Sequence, residues 1–301
     1  MLPLLACPGC RGELRFETSS AECAGCGARY PLDAGIPLLV AHEIGAHARA
    51  QAAAHDHASA PELEIERPCG TPSLFGWLVM ERFRRSVAGL EELLAGATTA
   101  VVCTGPGMDA ELLARAGARA LALDVSAGAL RRARERFRRR AIDATSAVAL
   151  AERLPLRDGA VEIAYVHDGL HHLEDPLAGL REMARVARRA VIVSEPTDSP
   201  VTRLAVRAGV ATDSEDAGNR VGRIDPRAAA RELRAAGFTD VRTSRYAMHY
   251  DPDVGRLARA LSRPRLAPAA RAGLRALAAA GRPVGNKVVI QAISGTVASR
   301  G

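Results

Sequence analysis

Hydrophobic and polar positions alternate along this chain in two registers, one short and strand-like, the other helical. Near the start, Glu13–Phe16, Ala28–Leu32 and Gly35–Val40 have strand length and are bounded by turn residues. From Pro72 the spacing turns helical, with Leu74, Trp77, Leu78, Met80, Phe83, Val87, Leu90 and Leu94 on one face. Past residue 97 the two patterns take turns. A β-branched run at Val101-Val102 stops at the turn Gly105-Pro106-Gly107, and Ala110–Ala116 continues with helix formers. Ala118–Asp124 then reads as a strand, Ala127–Arg140 as a helix, Val161–Val166 as a buried strand, Leu177–Arg188 as a helix and Ala190–Pro196 as a strand. Asp225-Pro226 opens a helix that Gly237 stops. Val241–Tyr250 reads as a strand, Leu257–Ala280 as a helix broken near Pro264 and Pro268, and Lys287–Ser294 as a closing strand. The alternation predicts an α/β domain.

With 301 residues, 48% of them hydrophobic, the chain can bury one large core and a small satellite. No apolar run reaches the roughly 18 residues of a membrane span, and Met1–Ala6 lacks the basic start and apolar length of a signal peptide, so a cytoplasmic protein is expected. The net charge of +7 would suit nucleic acid, but Lys287 is the sole lysine among 41 basic residues, which marks a compositional habit. Aromatics at 3% leave few platforms for stacking bases.

Cysteine spacing changes the picture at the amino terminus. Cys7-Pro8-Gly9-Cys10 and Cys23-Ala24-Gly25-Cys26 are two knuckles twelve residues apart. Two thiolates from each supply the four tetrahedral ligands that Zn²⁺ prefers and leave no open position, so Cys7, Cys10, Cys23 and Cys26 predict a structural zinc site. In a piece this short much of the stability comes from the metal. Residues 4–40 resemble the zinc-ribbon protein that serves as activator subunit of tRNA, rRNA and release-factor methyltransferases. The resemblance implies a docking and stabilising module over residues 1–40.

Residues 41–96 read as a linker followed by a lid helix. His42, His47, His55 and His57 could hold a second metal, but they are spread over a loop or loose helix where solvent-exposed histidines are the common case. Cys69 has no partner at metal spacing. The apolar face after Pro72 packs on the main domain or covers its active site, with Phe75 or Trp77 toward substrate.

Candidate chemistry centres on the glycine turn. A strand, a Gly-x-Gly turn and a helix let a ligand approach the backbone and meet free N–H groups. Asp124 ends the next strand nineteen residues after Gly105, where an acid accepts hydrogen bonds from both ribose hydroxyls of a bound adenosine. Ser126 is a plausible N-cap for the following helix. That helix carries Arg131, Arg132, Arg134, Arg136, Arg138, Arg139 and Arg140, either a phosphate-binding face or a solvated surface. Gly105–Ala110 also satisfies Gly-x-Gly-x-x-Ala, so a nicotinamide dehydrogenase fits equally well up to this point.

The next stretch decides. The loop Ala151–Leu156, the strand through Val166, His167–Pro176 and Ala190–Pro196 together resemble class I S-adenosylmethionine (SAM) dependent methyltransferases, especially the group that includes ubiquinone and menaquinone biosynthesis enzymes. The resemblance implies a Rossmann-like, seven-stranded, mostly parallel sheet with helices on both faces over 97–301, closed by an antiparallel hairpin. It places Gly105 and Gly107 against the methionine of SAM, Asp124 on the ribose, Val125 on the adenine, Ala151 and Glu152 at the adenine edge, and His167 near the methionyl end.

Departures from that family's pattern are Cys103 for an acid, Asp109 for a third glycine, Leu150 for an aspartate, and Arg188-Arg189-Ala190 in place of Pro-Gly-Gly. Cys103 and Leu150 each remove a polar contact worth ~1–3 kcal/mol. Asp109 and Asp143 are the candidates to replace them, Asp109 as a cofactor-binding residue. Candidate catalytic residues are His167, Asp168, His171 and His172, with His249 or Tyr246 as further candidates for a base; His171 and His172 serve equally as loop-closing residues. Val201–Arg223, with Asp213, Glu215, Asp216, Asn219 and Arg220, is an acceptor-pocket insertion or a surface loop.

The reaction expected is transfer of a methyl group from SAM to a small-molecule acceptor. An rRNA or tRNA acceptor is the alternative, although no Asn-Pro-Pro-Tyr motif occurs. Further alternatives are a binding or assembly protein whose methyltransferase fold has lost turnover, and non-methyl chemistry in the same cofactor site. An oligomer or a partner protein is compatible with all of these.

Overall fold

A computed structural model of the chain describes residues 1–40, 44–208, 224–248, 256–281 and 284–295. At the amino terminus β1 (Leu14–Phe16), β2 (Ser20–Cys23), β3 (Arg29–Asp33) and β4 (Ile36–Leu39) form an antiparallel ribbon. Four helices follow: α1 (Ala46–Asp56), α2 (Pro61–Glu66), α3 (Ser73–Val87) and the single turn α4 (Glu91–Leu94). Strands and helices then alternate as β5 (Thr98–Val102), α5 (Met108–Arg115), β6 (Arg119–Asp124), α6 (Ala127–Arg139), β7 (Ala144–Ala149), β8 (Val161–His167), α7 (Pro176–Val186) and β9 (Ala187–Pro196). The carboxyl-terminal elements are α8 (Pro200–Arg207), α9 (Pro226–Ala235), β10 (Asp240–Tyr246), α10 (Arg256–Leu261), α11 (Ala267–Ala280) and β11 (Lys287–Ile293).

The sheet has eleven strands in the order β1-β2-β3-β4-β7-β6-β5-β8-β9-β11-β10. The expected seven-stranded sheet is its β7-to-β10 portion, parallel from β7 to β9 and closed by the antiparallel β11 and β10. The seven-strand expectation falls short because the ribbon is not a separate bead. Its last strand joins the main sheet, with Leu38 beside Val148 and Leu39 beside Ala149 in parallel register.

Central strands read as unbroken apolar runs because both faces are covered by helices. Alternate residues divide between the faces: Val102, Leu123 and Val166 pack on one side, Val101, Ala122 and Tyr165 on the other. Leu5, Cys7 and Tyr30 of the ribbon share the first core with Leu154, Leu156 and Leu180.

The lid expectation for the helix after Pro72 does not hold. α3 ends at Val87, and its Phe75, Val79 and Phe83 lie in the second core; Trp77 packs beside Tyr246, under the Arg275 guanidinium. An apolar helical stripe this wide is satisfied by the sheet. The acceptor-loop expectation at Asp213, Glu215, Asp216, Asn219 and Arg220 lies outside the described residues, as do His42 and His249. Among the described residues no helix is long and apolar enough to cross a membrane.

Candidate functional site

Strand order reverses beside β5, and in open α/β sheets the crevice beyond the carboxyl ends of the strands at such a point is the ligand site. A cavity of about 500 Å³ lies there. Its floor is built from the strand ends: Cys103 and Gly105 after β5, Asp124 and Val125 at the end of β6, Ala149 and Leu150 at the end of β7.

Asp124 is the organising side chain. One carboxylate oxygen accepts the Gly105 N–H at 2.8 Å and the other the Ser126 N–H at 2.9 Å. The acid therefore fixes the glycine turn and the start of α6 at once, and it faces the cavity. Burial pushes its pKa up, opposed by the Ser126 and Gly105 amides and by the neighbouring His55. Glu152, which also lines the cavity, is likewise raised by burial. Burial first, and then the charges of Asp124, Glu195 and Glu152, push the Cys103 thiol well above its ordinary value.

The predicted cofactor residues divide into two groups. Gly105, Asp124, Val125, Ala151 and Glu152 line the cavity. Gly107, Asp109 and His167 do not. Gly107 has φ +81°, and a Cβ there would lie 2.8 Å from the Phe137 ring, so this glycine lets α6 pack against the turn. Asp109 points the other way, into a buried cluster where its carboxylate meets Arg82 at 3.0 Å and the Tyr165 hydroxyl at 3.4 Å. Burial raises its pKa in spite of Arg82. A Gly-x-Gly-x-Asp string cannot tell which face of the following helix the acid occupies. Asp143 is exposed and does not line the cavity, so neither acid fills the places left by Cys103 and Leu150.

Beyond β8 the chain enters the 3₁₀ turn Leu170–His172. Buried Glu195 organises this turn by accepting the Gly169 and Leu170 N–H groups at 2.7 and 2.8 Å, with His171 Nδ1 at 2.8 Å. His171 is thereby tied to Glu195 and does not line the cavity. His167 places Nε2 3.0 Å from Asp168, and Lys287 clamps both Asp168 oxygens at 2.7 and 2.8 Å. Of the four candidate catalytic residues, Asp168 and His172 line the cavity and His167 and His171 do not. Tyr246 is buried against Leu74 and Leu78, also off the cavity.

The roof is α1, which the linker reading missed. His47, Ala48, Gln51 and His55 face the cavity at helical spacing. His47 Nε2 lies 2.6 Å from the His172 carbonyl oxygen at one end. At the other, Asp56 accepts the Ser126 hydroxyl at 2.8 Å and the Gly128 N–H at 2.9 Å, at the positive end of α6. Histidine and glutamine recurring at i, i+4 and i+8 were the signal in the sequence.

The arginine-rich helix α6 is a docking rail. Arg132 binds Glu64 at 2.8 Å, Arg139 binds Glu62 at 2.7 Å and Glu66 at 3.0 Å, and Arg131 pairs with Asp33. Arg136, fully buried, binds Glu111 at 2.9 Å and the Pro106 carbonyl oxygen at 2.9 Å. These guanidinium groups are paired within the molecule, to α2, the ribbon and the start of α5.

A second constellation lies in the ribbon. The sulfur atoms of Cys7, Cys10, Cys23 and Cys26 all fall within 4.8 Å of one another. Four thiolates about 2.3 Å from one tetrahedral Zn²⁺ fit that spacing. The Tyr30 hydroxyl lies 3.1 Å from Cys7 Sγ. Burial would raise Cys7, but hydrogen bonds from Tyr30 and the Cys10 and Gly9 amides bring it down to about 6. Cys10 has the Gly12 amide pulling it down, yet Cys23 and Cys26 push it to about 12. Zn²⁺ binding at such a site displaces the thiol protons.

Residues 101–193 match the family model described as a methyltransferase domain. No curated protein sequence matches the chain. Among solved structures, magnesium protoporphyrin IX methyltransferase from Synechocystis with bound SAM is similar at a TM-score of 0.51 and 12% identity, over 85% of this chain and 100% of that one. A SAM-dependent methyltransferase, possible histamine N-methyltransferase, from Thermotoga maritima is similar at 0.47 and 17%, over 72% and 92%. A protein described as a putative methyltransferase from Bacillus halodurans gives 0.47 and 16%, over 69% and 100%. The Synechocystis likeness establishes the Rossmann-like methyltransferase fold.

Proposed function

We propose that this chain is a SAM-dependent methyltransferase acting on a small-molecule acceptor, with residues 97–301 as the methyltransferase domain, 41–96 as a linker and cap, and 1–40 as a structural zinc ribbon. One observation carries the reading: the Asp124 carboxylate ends β6, the strand next to the reversal of strand order, is fixed by the Gly105 and Ser126 amides, and faces a cavity of about 500 Å³. An acid so held has lone pairs left for two ribose hydroxyls. Val125, Leu150, Ala151 and Leu154 offer the apolar walls that a purine needs. When bound, SAM supplies a methyl group already activated by its sulfonium.

The protein's part is then alignment and the exclusion of water. α1 closes the roof, and Asp168, clamped by Lys287, is held rigidly at the rim where it can orient an acceptor. Asp168 and His172 are the two of the four candidates placed to touch one. Glu195 and His171 keep the loop in place. Engagement of the α6 arginines within the molecule argues against an RNA acceptor.

Calorimetry with S-adenosylhomocysteine (SAH) on the zinc-loaded chain tests the reading. Saturable one-site binding is expected, weakened ~10-fold or more by Asp124→Ala, since hydrogen bonds to a charged group contribute about 1.5–3 kcal/mol each. No binding by the folded wild-type protein refutes it.

A further inference from the structure

Gln51 is the anomaly of the cavity. It is only 4% exposed, it lines the cavity from the roof, and neither its carboxamide oxygen nor its nitrogen has a hydrogen-bond partner among the described residues. A buried amide left unpaired is costly, because it gives up its hydrogen bonds to water and gains none in return. Its neighbours on α1 both have contacts: His47 Nε2 meets the His172 carbonyl oxygen, and the His55 ring stands edge-on to the His172 ring at 5.5 Å. The helix is pinned at each end, so Gln51 is held where it is.

Its place along the cavity follows from the sheet. Gly105 lies after β5 and Asp124 at the end of β6, so a nucleoside whose ribose sits on Asp124 with its charged tail toward β5 directs its base toward β7. The β7 end offers Ala149, Leu150 and Ala151, all apolar. α1 crosses above, from His47 near Glu152 to His55 near Asp124, with Gln51 one turn from each. A primary amide presents a donor and an acceptor side by side, the complement of adenine's amino group and adjacent ring nitrogen.

We infer that Gln51, delivered by the cap helix rather than by the methyltransferase domain, reads the amino edge of the cofactor's adenine and takes the role that Leu150 cannot fill. The inference rests on the cofactor reading above and goes beyond it. It makes α1 part of the cofactor site.

The test compares SAH with its analogue in which the purine amino group is replaced by hydrogen, by calorimetry on the zinc-loaded full chain. Wild type is expected to favour SAH ~10-fold, the equivalent of about 1.4 kcal/mol. Gln51→Leu is expected to bind SAH ~10-fold more weakly and to lose the preference for the amino group. Its unliganded melting temperature should equal or exceed that of wild type, because an unpaired buried amide has been removed. A Gln51→Leu protein that binds SAH as tightly as wild type, keeps the preference, or melts lower without ligand overturns the inference and leaves the cofactor reading standing. Wild type that does not bind SAH overturns both.

Discussion

Gly128→Ala separates the cap from the domain it closes. A Cβ on Gly128 would lie 2.2 Å from the Asp56 carbonyl oxygen and 2.7 Å from its Cα. These are backbone atoms, so no rotamer change relieves the contact. Carbon and oxygen need about 3.3 Å, so the last turn of α1 must retreat by about 1 Å. That motion breaks the Asp56 bonds to the Ser126 hydroxyl and the Gly128 N–H. Each bond to a charged acceptor contributes about 1.5–3 kcal/mol, partly recovered by hydration, so about 3 kcal/mol of docking is lost. The closed-to-open ratio of the cap then falls ~150-fold. In α6 itself alanine is favoured over glycine by about 0.8–1 kcal/mol, so the domain as a whole is not weakened. Hydrogen exchange read by mass spectrometry should show faster exchange confined to 46–56, with the global melting temperature nearly unchanged and SAH affinity reduced. Unchanged protection of 46–56 refutes the reasoning, and that arm of the test needs no ligand.

Two further outcomes follow from the geometry. Cys10→Ser/Cys26→Ser should lower bound zinc from about one atom per chain to near none and unfold residues 1–40 first; metal analysis and proteolysis check this, and a metal-free chain melting like wild type counts against it. Glu111 is buried: burial raises its pKa, but Arg115, Arg136 and Arg140 outweigh burial and hold it below the ordinary 4.5. A depressed carboxyl contributes stability above its unfolded pKa that is lost as pH falls through the folded value. Glu111→Gln should therefore cost about 3–5 kcal/mol at pH 7, since it strands the buried Arg136, and should flatten the decline in denaturation midpoint below pH 4.5. An equally steep acid decline in the variant would show that Glu111 is not its source.

Where the physics is local, the sequence was informative. Four cysteines at metal spacing meet within one small volume, and Asp124 lands on the Gly105 turn because a strand, turn, helix and strand unit has few ways to fold. The cap was hidden for a physical reason. α1 is an alanine-rich helix whose inward face carries His47, Gln51 and His55, so it has no apolar stripe to announce it, while the apolar stripe of α3 belongs to the core. Gly107 and Asp109 share the opening motif with Gly105, yet their tasks are set by Phe137 and Arg82, from elements distant in sequence. The pairing of β4 with β7 depends on which edge was left open once the sheet had formed, and no periodicity carries that information.

That pairing also bears on the solubility of the chain. A parallel strand at the rim of a sheet offers unpaired N–H and C=O groups to any extended segment it meets, in this molecule or another. Leu38 and Leu39 occupy that rim along Val148 and Ala149. Whatever holds the four ribbon thiols together therefore also guards an aggregation-prone edge, so metal starvation or thiol oxidation would first appear as self-association rather than as a change in the chemistry of the cavity.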